Sequence, residues 1–510
     1  MTLPEFRFPN EVWGEILENV YNESTLKSFS LTCHAFCGIS RPRLFSRITF
    51  TPYAIRDLNS TGPVLLPSPT EVDRRIDRLN FLCSTRIASL VRECRVSVHK
   101  LYTDVTDWSF STDTPYILLN ALFGRLFHFT GLRLLDTYNI LLTQPRLNIL
   151  CRLPHLSELR VSGGIVTPGE PSGPPSPGTL HVSNFQLWHY SESELGHGEQ
   201  HWIPLLHPDR LRVLSMTFKP RFTAHAVHTL PSFPNVHTLE ATFDGTTASQ
   251  NSTIMSRFPG ARIFILRGEG FDTDAVSLQA GAVFPQLREY YGPHQALSIL
   301  LPSAPILTRI QTRCSRPEDL LIRIRGIQAH KITSFNAKFT QFDMAAFNKI
   351  VELLPQLREL VFNIVVTDTF LLFKHEVEDV DDLPDGEVVD DNVGDYIRYD
   401  FEVSSFFFEL SAAPFLPFGL ERFAIHWESA EEDNELSAYK IPDFAKIRDT
   451  LVARCPGLTW LWFNGIYFMF EWRLMPNGAV KELIVKNSSD VVRQCGDFGI
   501  LDEWDWDYNY

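Results

Sequence analysis

One phrase recurs along this chain and limits its fold more than any other feature: Pro-x-Leu-x-x-Leu-x-apolar. It is clearest in Leu153-Pro-His-Leu-Ser-Glu-Leu-Arg-Val161, Phe233-Pro-Asn-Val-His-Thr-Leu-Glu-Ala241 and Leu354-Pro-Gln-Leu-Arg-Glu-Leu-Val-Phe362. Phe284-Pro-Gln-Leu-Arg-Glu-Tyr-Tyr291 and Cys455-Pro-Gly-Leu-Thr-Trp-Leu-Trp-Phe463 follow the same form. The first apolar position of each phrase falls at Leu132, Leu156, Leu180, Leu211, Val236, Ala261, Leu287, Leu307, Ile332 and Leu357, with weaker copies at Leu420, Leu458 and Val480. Successive differences from Leu132 to Leu357 are 24, 24, 31, 25, 25, 26, 20, 25 and 25. Such a phrase spells a turn feeding a short strand. Helical spacing follows in the intervening segments, as at Phe342, Ala345, Ala346, Lys349, Ile350 and Leu353-Leu354.

A period near 25 falls in the range of leucine-rich repeats. One such unit cannot bury its own apolar face, so neighbours stack and their strands run parallel. The strands of an ordinary α/β domain show leucines at similar spacing; the proline recurring at the same offset favours the stack. The fold class expected is therefore mixed α/β: a small N-terminal three-helix module, then an irregular leucine-rich-repeat-like α/β solenoid with parallel strands. Its asparagine ladder is mostly missing.

The expected organisation is a helical module over residues 1–50, a connecting segment with the first repeat units over 51–125, degenerate repeats over 126–500, and an acidic aromatic tail over 501–510. Two interruptions stand out. Residues 168–178 hold five prolines and three glycines and read as an exposed flexible loop. Residues 376–395 hold ten carboxylates and no Lys or Arg, supplying most of the formal net charge of −15, and read as a disordered insertion.

The N-terminal module reads as three short helices. Asn10 and Ser24 are the expected caps of the first two, and Pro42 the expected break in the third. In the first helix Val12, Trp13, Ile16, Leu17 and Val20 form one apolar stripe. A unit of about 40 residues seldom buries enough surface to fold alone. Its apolar residues either pack onto the body behind or await a partner. This stretch resembles the F-box family, on Phe8-Pro9-Asn10-Glu11, Ile16-Leu17, Leu26, Leu31-Thr32-Cys33, Phe36 and Leu44-Phe45. It departs from the pattern at Phe8, where Leu is usual, at Phe36, where Trp is commonest, and at His34, where a basic residue is usual. The resemblance covers a tenth of the chain. It implies docking to the Skp-type adaptor of a cullin ubiquitin ligase through Pro9, Val12, Trp13, Ile16, Leu17, Leu26, Leu31 and Phe36, with an unknown protein target held by the repeats.

Chemistry finds little footing. His197-Gly-Glu-Gln-His201 is not a zinc-protease helix, because Gly196 and Gly198 oppose a helix and the carboxylate is misplaced. Cys33, His34 and Cys37 lack a second ligand pair, Gly268-Glu-Gly270 is half a phosphate-loop phrase, and the acidic run lacks calcium-loop spacing. No catalytic residue, metal or cofactor is expected. The acidic balance argues against nucleic acid. Eight cysteines without a CxxC pair, no leader-like N-terminus and no long apolar run suggest a reduced compartment, cytoplasm or nucleus, and no membrane. The four Asn-x-Ser/Thr sites, at Asn22, Asn59, Asn251 and Asn487, are then chance matches. The function expected is substrate recognition for a ubiquitin ligase; the alternative is a repeat scaffold with no ligase role. At the outward x positions of the phrases, Arg160, Tyr290 and Trp462 are the candidate target contacts, alongside Glu240, and Trp460 is expected to cap the last repeat.

Overall fold

The computed structural model describes residues 10–20, 22–52, 68–97, 117–138, 140–163, 165–166, 177–188, 202–218, 230–243, 247–268, 284–324, 331–339, 342–366, 406–410, 416–429, 443–465 and 468–485. The chain is mixed α/β, its described strands mostly parallel, and it divides into two compact units: residues 1–246 with 257–259, and residues 247–256 with 260–510. Pro9, His197, His201, residues 168–176, the acidic run 376–395 and the tail 501–510 lie outside the described residues.

The first unit opens with three helices, α1 (Asn10–Glu18), α2 (Glu23–Ser30) and α3 (His34–Leu44). Asn22, not Ser24, caps α2: its side-chain oxygen accepts from the backbone N–H of Ser24 at 2.8 Å and Thr25 at 3.4 Å. Pro42 does not break α3. It sits in the last turn, and the helix closes beyond it with Phe45 N–H donating to the Arg41 carbonyl.

After β1 (Arg47–Phe50) and α4 (Pro69–Leu82) the parallel strands follow: β2 (Glu93–Ser97), β3 (Leu134–Tyr138), β5 (Glu158–Ser162), β7 (Asn184–Trp188), β8 (Val213–Phe218) and β9 (Thr238–Phe243). Between them lie helices α5 (Ile117–Phe123) and α6 (Gln144–Cys151). Two short strands, β4 (Leu141–Leu142) and β6 (Ile165–Val166), pair only with each other. Burial alternates along β2, β3, β7 and β9, as a sheet with one packed face requires, while β5 and β8 also bury a residue of the other face, Ser162 and Ser215. Leu135, Leu159, Phe185, Leu214 and Leu239 stand in register as one buried row. Three residues before each lies the first apolar position of the phrase. For the third repeat that position is Val182, not Leu180. Leu180 is buried too, but it bridges to Leu206 outside the sheet.

Backbone carbonyls join successive strands. The carbonyls of Ser46, Arg92, Arg133, Ser157, Ser183 and Arg212 each accept two consecutive N–H groups from the start of the next strand, at 2.8 to 3.2 Å. Both lone pairs of each oxygen are used, so these backbone N–H and C=O groups at the strand starts are satisfied. Gly131 is required where the chain turns toward β3, because a Cβ there would lie 2.6 Å from the Ser89 carbonyl oxygen.

The second unit repeats the device. The carbonyls of Arg262, Arg288, Thr308, Thr333, Arg358 and Glu421 each bind two N–H groups of the following strand. The strands are β10 (Ile263–Arg267), β11 (Glu289–Gly292), β12 (Arg309–Ser315), β13 (Ser334–Phe339), β14 (Glu359–Val366), β15 (Arg422–Ser429) and β16 (Trp460–Asn464), all parallel. Helices 344–353 and 444–454 cover one face of this sheet. Phe347 lies 5.8 Å from Phe362 and 5.9 Å from Phe423, and Phe444 stacks 5.0 Å from Phe470. The sheet ends in an antiparallel hairpin, β17 (Met469–Leu474) and β18 (Val480–Val485), around Asn477-Gly478 with Gly478 at φ +79°. Val480 therefore opens a hairpin strand and is not a further repeat.

Candidate functional sites

The helical module is built around a small core. Leu17 and Leu26 are buried, and Trp13, Phe29 and Phe36 form an aromatic cluster with ring separations of 5.6, 4.9 and 4.1 Å. Arg43 donates to the Leu17 carbonyl and ties the end of α1 to α3. Val12, Trp13 and Phe36 are half-buried. Two of the expected contact residues are left exposed: Ile16 at 44% and Leu31 at 85%. The eight residues carried by the F-box resemblance thus separate by environment. Leu17 and Leu26 hold the helices together, Ile16 and Leu31 face out, and Pro9 is outside the described residues. Phe45 of this module also meets Phe81 of α4, with ring centroids 6.1 Å apart.

The expected target contacts fare differently from one another. Arg160 points outward as expected, is partly exposed, and pairs with Glu158 at 2.6 Å. Tyr290 is not an outward residue. It occupies the buried row beside Phe264 and donates its hydroxyl to the Pro293 carbonyl at 2.7 Å, while the outward aromatic at that repeat is Tyr291. Counting Leu287-x-x-Tyr290 against Leu156-x-x-Leu159 assigns Tyr290 inward from the sequence alone. Tyr291 donates to Glu289, and burial, together with that carboxylate, pushes its phenol up to about 12. Trp462 is on the outward side by register but only 1% exposed, so it offers no free surface as it stands.

The outward side of the second unit carries a chain of charges set by the register. Arg309 donates to Glu359 at 3.0 Å and lies 3.8 Å from Glu289, Arg422 reaches Glu359 at 2.9 Å, and the Arg422 guanidinium lies 4.9 Å over the Trp460 ring. Two strands further on, Glu471 is fully buried and accepts from Arg473 at 2.9 Å and from the Trp460 indole at 3.4 Å, with Lys481 at 3.9 Å. Trp460 thus contacts the closing hairpin through Glu471.

Among the described residues no group of three His, Cys, Asp or Glu is placed to hold a metal ion, and no helix is long and apolar enough to cross a membrane. Asn251, one of the Asn-x-Ser/Thr sites, is fully buried. No protein-family model matches the chain, and no curated protein matches it either.

Proposed function

We propose that this chain is a non-catalytic substrate-recognition subunit: an F-box-like module docks to the Skp-type adaptor of a cullin ubiquitin ligase, and a leucine-rich-repeat-like body holds a target protein. The observation that carries it is the split within the module. A three-helix unit that buries Leu17 and Leu26 leaves Ile16 and Leu31 in solvent, at positions where the F-box pattern expects adaptor contacts, and apolar residues left out of a small core are natural anchors for a partner. The subunit then speeds ubiquitin transfer by proximity, raising the local concentration of target near the ligase, without covalent chemistry of its own.

The test is co-purification with a Skp-type adaptor. Ile16→Asp and Leu31→Asp each place a carboxylate in an apolar contact, and binding falls at least tenfold, in keeping with the several kcal/mol that an uncompensated buried charge costs. Unchanged binding by both variants overturns the adaptor role. A second reading, a repeat scaffold whose helices only cap the sheet, draws on the Phe45–Phe81 contact. It requires that the intact chain bind no adaptor at all.

A further inference from the structure

The outward face of strands β14 to β17 is covered, although the sheet alone has no means to cover it. Its apolar cluster consists of Val361, Ala424, Trp460, Trp462, Met469 and Val485, every one of them a strand residue. Side chains standing in one layer on a sheet shield each other's flanks but not their tops. Yet Trp462 is 1% exposed and Glu471 is 0% exposed. Polar atoms in this layer also lack hydrogen bonds: Trp462 Nε1 and Asn363 Oδ1 are buried without one, and Glu471 Oε2 has only the Lys481 ammonium at 3.9 Å. Buried groups in that state are costly and call for a partner that brings both donors and acceptors. Around them stand three cations, Arg422, Arg473 and Lys481.

One segment of the chain has the complementary chemistry. In Asp502-Glu-Trp-Asp-Trp-Asp-Tyr-Asn-Tyr510 aromatic and acidic or amide residues alternate strictly from Trp504 onward. As an extended strand this places Trp504, Trp506, Tyr508 and Tyr510 on one side and Asp505 and Asp507 on the other. The aromatic side carries indole N–H and phenol O–H donors, which suit Glu471 Oε2 and Asn363 Oδ1, the two oxygens here without a hydrogen bond. The acidic side suits the three cations. The run 376–395, equally acidic, contains no aromatic residue and supplies no such donors. Strand β18 brings the chain to this face at Val485, and the intervening residues 486–501 span up to roughly 50 Å when extended, enough to double back.

We propose that residues 502–510 dock in cis on the outward face of β14–β17, aromatic side toward the apolar layer, where the long, part-exposed side chains of Arg422, Arg473 and Lys481 reach up beside the segment to its carboxylates. The segment is then an internal competitor for this surface. This docking stands without the ligase role; if that role holds, a target binding here must displace the segment.

The test uses the full chain with Trp506 replaced by the photo-crosslinking residue p-benzoylphenylalanine, whose excited ketone inserts readily into methionine C–H bonds. Irradiation is expected to yield an intramolecular adduct, with mass spectrometry placing it on Met469 or elsewhere in strands β14 to β17. Asp505→Lys with Asp507→Lys in the same chain is expected to cut the adduct at least fivefold. A large excess of free peptide 502–510 is expected to suppress it as well. Both changes leave the described residues untouched, so misfolding does not confuse the result. An adduct on another part of the chain, an adduct joining two copies, no adduct, or a yield indifferent to the charge reversal overturns the proposal.

Discussion

Ile16 and Leu17 are neighbours in one helix turn with opposite fates, and the difference is measurable. Leu17 is buried and Ile16 is 44% exposed. Leu17→Ala leaves a cavity in a small core and is expected to lower the stability of the helical module by about 2–4 kcal/mol, whereas Ile16→Ala shifts it by less than about 0.5 kcal/mol. Far-ultraviolet circular dichroism against urea separates the two; equal losses would show that Ile16 is part of the fold. Glu359 allows a sharper test. Burial alone raises a carboxyl's pKa, but the hydrogen bond from Arg309, the attraction of Arg422 and the Ser334 hydroxyl outweigh it and hold this one below its usual value. A lowered folded-state pKa adds stability that is fully present above the unfolded value of about 4.3 and fades as pH falls through the folded value. Glu359→Gln is therefore expected to cost on the order of 1–2 kcal/mol at neutral pH. The gap to wild type should narrow as pH falls below the unfolded value and on through the folded one; a gap that does not change on acidification would show that packing, not charge, is responsible.

Among the elements, the helix over 344–353 shows how closely local chemistry matches the fold. Asp343 accepts from the Ala346 N–H at 2.7 Å, and Phe347, Ile350 and Val351 form the buried stripe. Asp343→Ala is expected to lower stability by about 1 kcal/mol and Asp343→Ser to restore most of it; an equal loss in both would tie the effect to something other than the cap. This helix and the parallel strands were legible because their signals are local and repeated. Other features were legible but misassigned. Asn22 precedes Ser24 and caps in its place; Asn477-Gly478 is a hairpin signal, and the repeat count ran past it to Val480. Tyr290 follows the same three-residue step as Leu159, which makes its neighbour Tyr291 the outward residue. What the sequence could not convey is contact between distant residues. Nothing in the spelling of Arg309, Glu359 and Arg422 joins them; only the register does, across 50 residues in the case of Arg309 and Glu359. The burial of Trp462 is similarly non-local.

For the molecule as a whole, composition gives no sign of the division into two units near residues 247–260, since the same phrase runs on either side of it. The insertion 376–395 tests how far the sheet depends on what lies between its strands. Deleting it is expected to move the melting temperature by no more than about 2 °C, because few apolar side chains go with it; a cooperative collapse would make it part of the fold. The backbone carbonyl of Arg358 explains the expectation. It binds Glu421 and Arg422 of the next strand at 2.7 and 2.9 Å, although 63 residues separate Leu357 from Leu420 where most repeats take about 25. By loop-closure entropy the longer excursion costs only about 0.8 kcal/mol more. A joint that meets backbone with backbone reads neither the identity nor the number of the residues between its two sides. The ladder therefore behaves as a frame with open bays: the span between Val366 and Phe406 is a place where an evolving gene, or an engineer fusing a fluorescent domain, can add a folded passenger while the strands on either side keep their register.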